Sequence, residues 1–306
     1  MERMEHVEHV ERMGRTERTT FRLNSERLEV ELSAPGGAYR GSRFDWTGHV
    51  VEATLDGKHR FCAAESLAPG QGSGGFGICG EFGLFTPIGF DEAAPGEPFP
   101  KLGVGLLTRP DEQPYSFMRP YATEPYPVEV KAGADCAVFV AEPVDCLGYA
   151  VRYEKAVSLS ANVLTIGYRM RNVGDKPIVT EEYEHNFLAV DGEPIGPDYA
   201  LRLSRPFRAA ASMPGCIEAR ADGIGWVEAP TAPFYARMDI AAGAEAGYRW
   251  ELLHKPSGVR VSETVDFAPS AIALWGDRHV VSPEVFIALA LRSGEERVWT
   301  RRYEFN

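Results

Sequence analysis

The sequence predicts an all-β chain of antiparallel strands, packed as a sandwich rather than closed as a barrel. Three observations carry this. Short runs rich in Val, Leu, Tyr and Phe recur from Thr20 to the C-terminus. Turn signals separate them, among them Pro35-Gly36-Gly37, Asp56-Gly57, Gly174-Asp175-Lys176-Pro177 and Asp191-Gly192. No helical pattern of ordinary length interrupts the series. The 306 residues suffice for one large β domain or two ordinary ones, and no linker of disordered composition divides them. A single domain over residues 20–306, behind an extension of residues 1–19, is therefore expected.

Within the extension, Met1, Met4, Val7, Val10 and Met13 recur every three residues, the spacing of a short amphipathic helix. A charged, frayed tail fits the same residues equally well. The first hairpin is VVEATL before Asp56-Gly57 and HRFCAA after it, and YAVRYEKAVSL with NVLTIGYRMRNV makes another. Two segments break the rhythm: the glycine-dense stretch from Pro69 to Gly89, and the proline- and aromatic-punctuated stretch from Asp91 to Pro127. Long irregular segments in compact domains are disproportionately functional, so the first is expected at the rim of a concave sheet, with Glu81 facing a pocket.

The glycine-dense stretch contains a formal G-x-G-x-x-G at Gly70, Gly72 and Gly75. A dinucleotide site needs a helix to follow, because the pyrophosphate rests on its N-terminus. FGICGEFGLFTP follows instead, which argues against such a site. With a net charge of −12 and no clustered basic stripe, nucleic acid is not an expected partner. The five cysteines (Cys62, Cys79, Cys136, Cys146, Cys216) form no C-x-x-C pair and read as reduced thiols. No apolar run is long enough to span a membrane, and the charged N-terminus lacks a signal-peptide core, so a cytoplasmic location is expected.

The most informative strand is VTEEYEHNFLAVD, Val179 to Asp191. Strand side chains alternate, so Glu181, Tyr183, His185 and Phe187 share one face while Glu182, Glu184 and Asn186 take the other. One face thus offers a proton-transfer group among aromatics, although a strand histidine also serves as an ordinary hydrogen-bonded structural residue. In VVSPEVFI, Glu284 follows Pro283 between apolar runs, as a site carboxylate or one paired to an arginine would. Arg43 in GSRFDWTGHV reads either as a site residue or as half of an ion pair at a sheet edge.

Together these pieces resemble the aldose 1-epimerase, or galactose mutarotase, superfamily, whose members fold as a β-supersandwich. The resemblance spreads over most of residues 20–306, from Gly41 and Arg43, through YEKAVSLSANVLTIGYRMRNVGDKPI and TEEYEHNF, to SPEVFIALALRSGEERVWTRRYEF. It implies catalytic roles for His185 and Glu284. The family's usual first histidine has no counterpart, and Glu81 stands in the equivalent region; the family's substrate-binding aspartate is not identifiable either. A divergent branch is indicated.

Mutarotation opens a cyclic hemiacetal and recloses it on the other face without a cofactor, one group taking the anomeric proton and another protonating the ring oxygen. The resemblance implies Glu284 as base and His185 as acid, expected about 6 to 8 Å apart with a sugar between them. Arg43, Lys155, Glu81, Glu181 and Tyr183 would bind substrate, and Trp46 and Phe76 would join Tyr183 in stacking on the sugar. Two alternatives stay open: a carbohydrate-binding protein without catalysis, and an enzyme acting on a modified sugar by elimination or hydrolysis, with Glu81, Glu181 or Glu184 beside His185. A metal held by Glu181, His185, Glu81 and Glu284 is a further variant, although no metal is expected.

Overall fold

The computed structural model describes residues 11–12, 19–68, 70–209, 213–240 and 246–306. Among these residues nearly all regular structure is antiparallel strand, with two single-turn 3₁₀ segments at Phe90–Glu92 and Val190–Gly192. The expected N-terminal helix falls on residues outside the described ones, apart from Glu11–Arg12, which pairs as extended chain with Lys131 and Ala132.

Among the described residues two large sheets face each other. One has eleven strands and runs through Val151–Ser160, Val163–Asn172, Glu296–Phe305, Arg260–Val265 and Arg249–His254. The other has ten, with Ala271–Asp277, Val280–Leu291, Ile178–Asn186 and Ile78–Phe82 side by side in its middle. A small third sheet, Pro98–Lys101, Gly105–Thr108 and Thr123–Pro125, occupies the proline-rich stretch. Both expected hairpins form. Leu55 pairs with His59 across Asp56-Gly57, and Ser160 pairs with Val163 across a two-residue turn.

The strands alternate as half-buried antiparallel strands should. In Val151–Ser160 the residues Tyr153, Lys155, Val157 and Leu159 point inward, and in the last strand Trp299, Arg301, Tyr303 and Phe305 do so. Phe82, Phe139, Ile166, Trp250 and Val285 complete the apolar core between the sheets. Two ionic groups lie in that core. Lys155 reaches Asp45 (2.9 Å) and Glu184 (3.3 Å); Arg301 reaches Glu182 (2.7 Å) and Glu263 (2.8 Å). Such pairs stabilise little over apolar packing but are costly to break, because a lone charge would be left buried.

The glycine-dense stretch is not all loop. Ile78–Phe82 is a central strand with irregular chain on either side of it. Its entry needs a glycine at Gly77, where φ is +63° and an added Cβ would sit 1.9 Å from the Val50 carbonyl oxygen. The strand that carries Glu284, Val280–Leu291, runs on through Pro283, which has no N–H to give the ladder. Asn186 bridges that gap: its N–H donates to Ser282 Oγ (3.0 Å) and its amide to the Pro283 carbonyl (2.6 Å). No helix among the described residues is long and apolar enough to cross a membrane.

Candidate functional site

A cavity of about 630 Å³ opens on the outer face of the ten-stranded sheet, lined by Arg43, Tyr183, His185 and Glu284 among other residues. Register assembles this floor. Tyr183 pairs with Glu81 and His185 with Cys79 on one side. On the other, the pairs Glu182 with Ile287 and Leu188 with Val281 bracket a stretch in which His185 lies across from Glu284. Side chains opposite each other on one sheet face are in contact range. His185 Nδ1 lies 2.9 Å from Glu284 Oε1, and Tyr183 stacks on Phe286 at 4.3 Å.

The hydrogen bonds define the state of the imidazole. Arg43 Nη2 approaches His185 Nε2 at 2.9 Å. A guanidinium cannot accept, so Nε2 presents its lone pair and the ring proton sits on Nδ1, donated to Glu284. Tyr183 donates its hydroxyl to Glu81 Oε2 at 2.5 Å, and its oxygen lies 2.8 Å from Nε2. Ser282 Oγ donates to Glu284 Oε1 at 3.1 Å. Among the described residues no donor reaches the other oxygen, Oε2, of this cavity-lining carboxylate. The ring itself is clamped, parallel to Phe187 at 4.9 Å and edge-on to Phe44 at 5.2 Å.

Beneath the floor, Glu81 is fully buried and gathers two cations, Arg43 Nε at 2.8 Å and Lys101 Nζ at 3.3 Å. Burial would raise its carboxyl, but Arg43 and then Lys101 outweigh this and hold it below the ordinary value. Burial likewise works against charge on Arg43, and Glu81 with Tyr183 overcomes it and keeps the guanidinium protonated. Burial lowers Lys101, with Glu81 offsetting only part of the effect. Burial and then Glu81 push the Tyr183 hydroxyl well above its ordinary value, so it stays a donor.

Solved structures share this architecture. A galactose mutarotase-like protein from Clostridium acetobutylicum matches with a TM-score of 0.59 at 12% identity, over 94% of this chain and 95% of its own. A galactose mutarotase related enzyme from Lactobacillus acidophilus matches with a TM-score of 0.58 at 11% identity, over 94% and 97%. The chain has the galactose mutarotase-like fold. A Lactobacillus casei protein of the same description gives 0.56 at 12%, over 94% of this chain and 100% of its own. No family model and no curated protein matches the sequence.

On this galactose mutarotase-like frame, the expected site residues divide. Arg43, Tyr183, His185 and Glu284 come together at the cavity. The expected gap of about 6 to 8 Å between His185 and Glu284 is overturned by the 2.9 Å contact, because their strands are immediate neighbours. Glu81 is corrected from a ligand-facing group to a support: with no exposed surface it can only anchor Arg43, Lys101 and Tyr183. Lys155 is corrected outright, since its strand belongs to the opposite sheet and alternation points it into the interior. Glu184 points there too, toward Lys155 and Tyr168. Glu181 shares the face of Tyr183 but lies outside the cavity lining. Burial raises its carboxyl, with Arg237 opposing.

Trp46 and Phe76 are also absent from the lining; Trp46 donates to the Gly41 carbonyl and Phe76 packs on His49. The aromatic wall consists instead of Phe85, Phe117, Phe187, Tyr235 and Trp275. The sequence reading had placed Phe187 on the His185 face but missed the other four, together with Lys101, Ser73 and Ser282. Ser282 had a signal, lying two residues before Glu284 and hence on the same strand face. Lys101, a lone charge in FPKLGVGLL, had one as well. Among the described residues no cluster of His, Cys, Asp and Glu has metal-holding geometry, so the four-residue metal variant finds no support.

Proposed function

We propose that the chain is an aldose 1-epimerase-like isomerase, interconverting sugar anomers by general acid and base catalysis in the cavity over His185. The anomeric hydroxyl and the ring oxygen are bonded to one carbon, so two neighbouring groups can serve them both. The observation that carries the reading is the His185–Glu284 contact on the cavity floor, with Glu284 Oε2 left without a protein donor among the described residues. Glu284 takes the anomeric proton. His185 in its imidazolium form protonates the ring oxygen from Nε2, which requires Arg43 Nη2 to give up its contact there and keep the one it has with Tyr183 Oη (3.3 Å). As the hemiacetal recloses on its other face, the ring oxygen returns its proton to Nε2 and Glu284 returns its own to the carbonyl oxygen.

A second reading has its own observation. In the resting geometry Nε2 accepts from Arg43 and has no proton to donate, as suits a site that binds sugar without turnover. Anomer exchange measured by magnetisation-transfer NMR over a panel of aldoses separates the two. Exchange above the buffer rate, lost in Glu284→Gln, supports the isomerase. Binding by calorimetry without exchange supports the second reading, and neither binding nor exchange by any aldose refutes both.

A further inference from the structure

We infer that the aldose taken by this cavity carries an apolar substituent and no anionic group. The sugar part rests on the reading proposed above; the substituent rests on the cavity wall. Soluble proteins rarely gather exposed large apolar side chains without a reason. Eight such side chains are exposed among the described residues, and three of them, Phe85 (62%), Met118 (53%) and Tyr235 (48%), line this one cavity. Phe117 continues the surface, 6.0 Å from Phe85 ring to ring.

The polar groups that would grip a hemiacetal lie together on the floor, where Arg43, Tyr183, His185 and Glu284 form one hydrogen-bonded set. At about 630 Å³ the cavity falls within the range that encloses drug-sized ligands, and a single pyranose fills only part of it. With the anomeric end held on the floor, the far end of the ring meets Phe85, Phe117 and Met118. Aromatic rings alone would suit the face of a second sugar, but Met118, Leu84 and Pro233 supply flexible or aliphatic surface with no hydrogen-bonding group for its hydroxyls.

Charge excludes the other obvious substituents. Arg43 is the one lysine or arginine among the described residues that line the cavity. Each of its nitrogens is engaged: Nε with Glu81, Nη1 with Ser73, Nη2 with Tyr183 and His185. Phe44 and Phe117 cover its faces at 4.6 and 4.2 Å. Among the described lining residues a phosphate or carboxylate would find no free cation and would face Glu65, Asp277 and Glu284.

The test compares D-glucose and D-galactose with their 6-O-octyl ethers and their 6-phosphates, using calorimetric affinity and NMR anomer exchange on the full-length protein. At least one ether should bind about tenfold or more tightly than its parent, the effect of burying a few methylenes, and neither phosphate should bind more tightly than its parent. In Phe85→Ser/Met118→Ser the advantage of that ether over its parent should shrink to about twofold or less. Ethers no tighter than their parents, a phosphate preferred over its parent, no binding by any of the six, or an advantage that survives the double substitution would each overturn the inference. Ether binding without anomer exchange would leave the inference standing and sink the isomerase reading instead.

Discussion

His185 and Glu284 belong to adjacent antiparallel strands and meet across them at 2.9 Å, Nδ1 to Oε1, on the floor of the cavity. The contact holds the imidazole proton at Nδ1 and occupies Glu284 Oε1, which leaves Oε2 as the oxygen available to a ligand.

Glu284→Gln should lower anomer exchange by about a hundredfold, because the amide oxygen can still accept from Nδ1 while no base remains. His185→Ala should cost a similar factor. NMR exchange rates on any aldose that the parent converts check both; parental rates in both variants would place the chemistry elsewhere.

Arg43→Met should be severe for stability. It leaves Glu81, which has no exposed surface, with Lys101 as its one remaining cation, and removing one partner of a buried ion pair typically costs about 3–5 kcal/mol. Urea denaturation gives the value. A loss below about 1 kcal/mol would mean that water reaches Glu81 when the guanidinium is gone.

Lys155→Met should destabilise by a comparable amount, about 3–5 kcal/mol, since Asp45 and Glu184 would remain buried without their shared cation. Sugar affinity, measured where the variant is still folded, should change by less than about twofold. A large loss of affinity with unchanged melting would return Lys155 to the substrate-binding role first expected of it.

Glu182 supplies a pH signature. Burial raises its carboxyl to about 7, against the pull of Arg301 and helped by Glu184. The folded chain therefore binds this proton more tightly than the unfolded chain, whose glutamates titrate near their ordinary value of about 4.3. Its contribution is fully present below that value and is lost as pH rises through 7, by an amount on the order of 3 kcal/mol. Glu182→Gln keeps the acceptor for Arg301 and should flatten the fall between about pH 4.5 and 7. Glu263 is raised chiefly by burial and retains its own slope in that variant. Parallel stability curves for parent and variant would show that Glu182 does not titrate in this window.

Period-two alternation was enough to place Tyr183 and His185 on one face and Glu182, Glu184 and Asn186 on the other, and hairpin turns with recurring apolar runs were enough for an all-β sandwich. These are local properties of neighbouring residues, and a sequence carries them directly. What a strand pairs with is not local. Arg43 and Lys155 look alike in sequence, each a cation in a segment of mixed polar and apolar residues, yet one reaches the cavity floor and the other the interior, because their segments belong to different layers. Register alone brought Glu284, about a hundred residues downstream, against His185 and set their separation. The aromatic wall also came from tertiary structure. Phe85, Phe117, Tyr235 and Trp275 share no motif and meet only where distant strands and loops converge, a consequence of long-range pairing that no window of sequence contains.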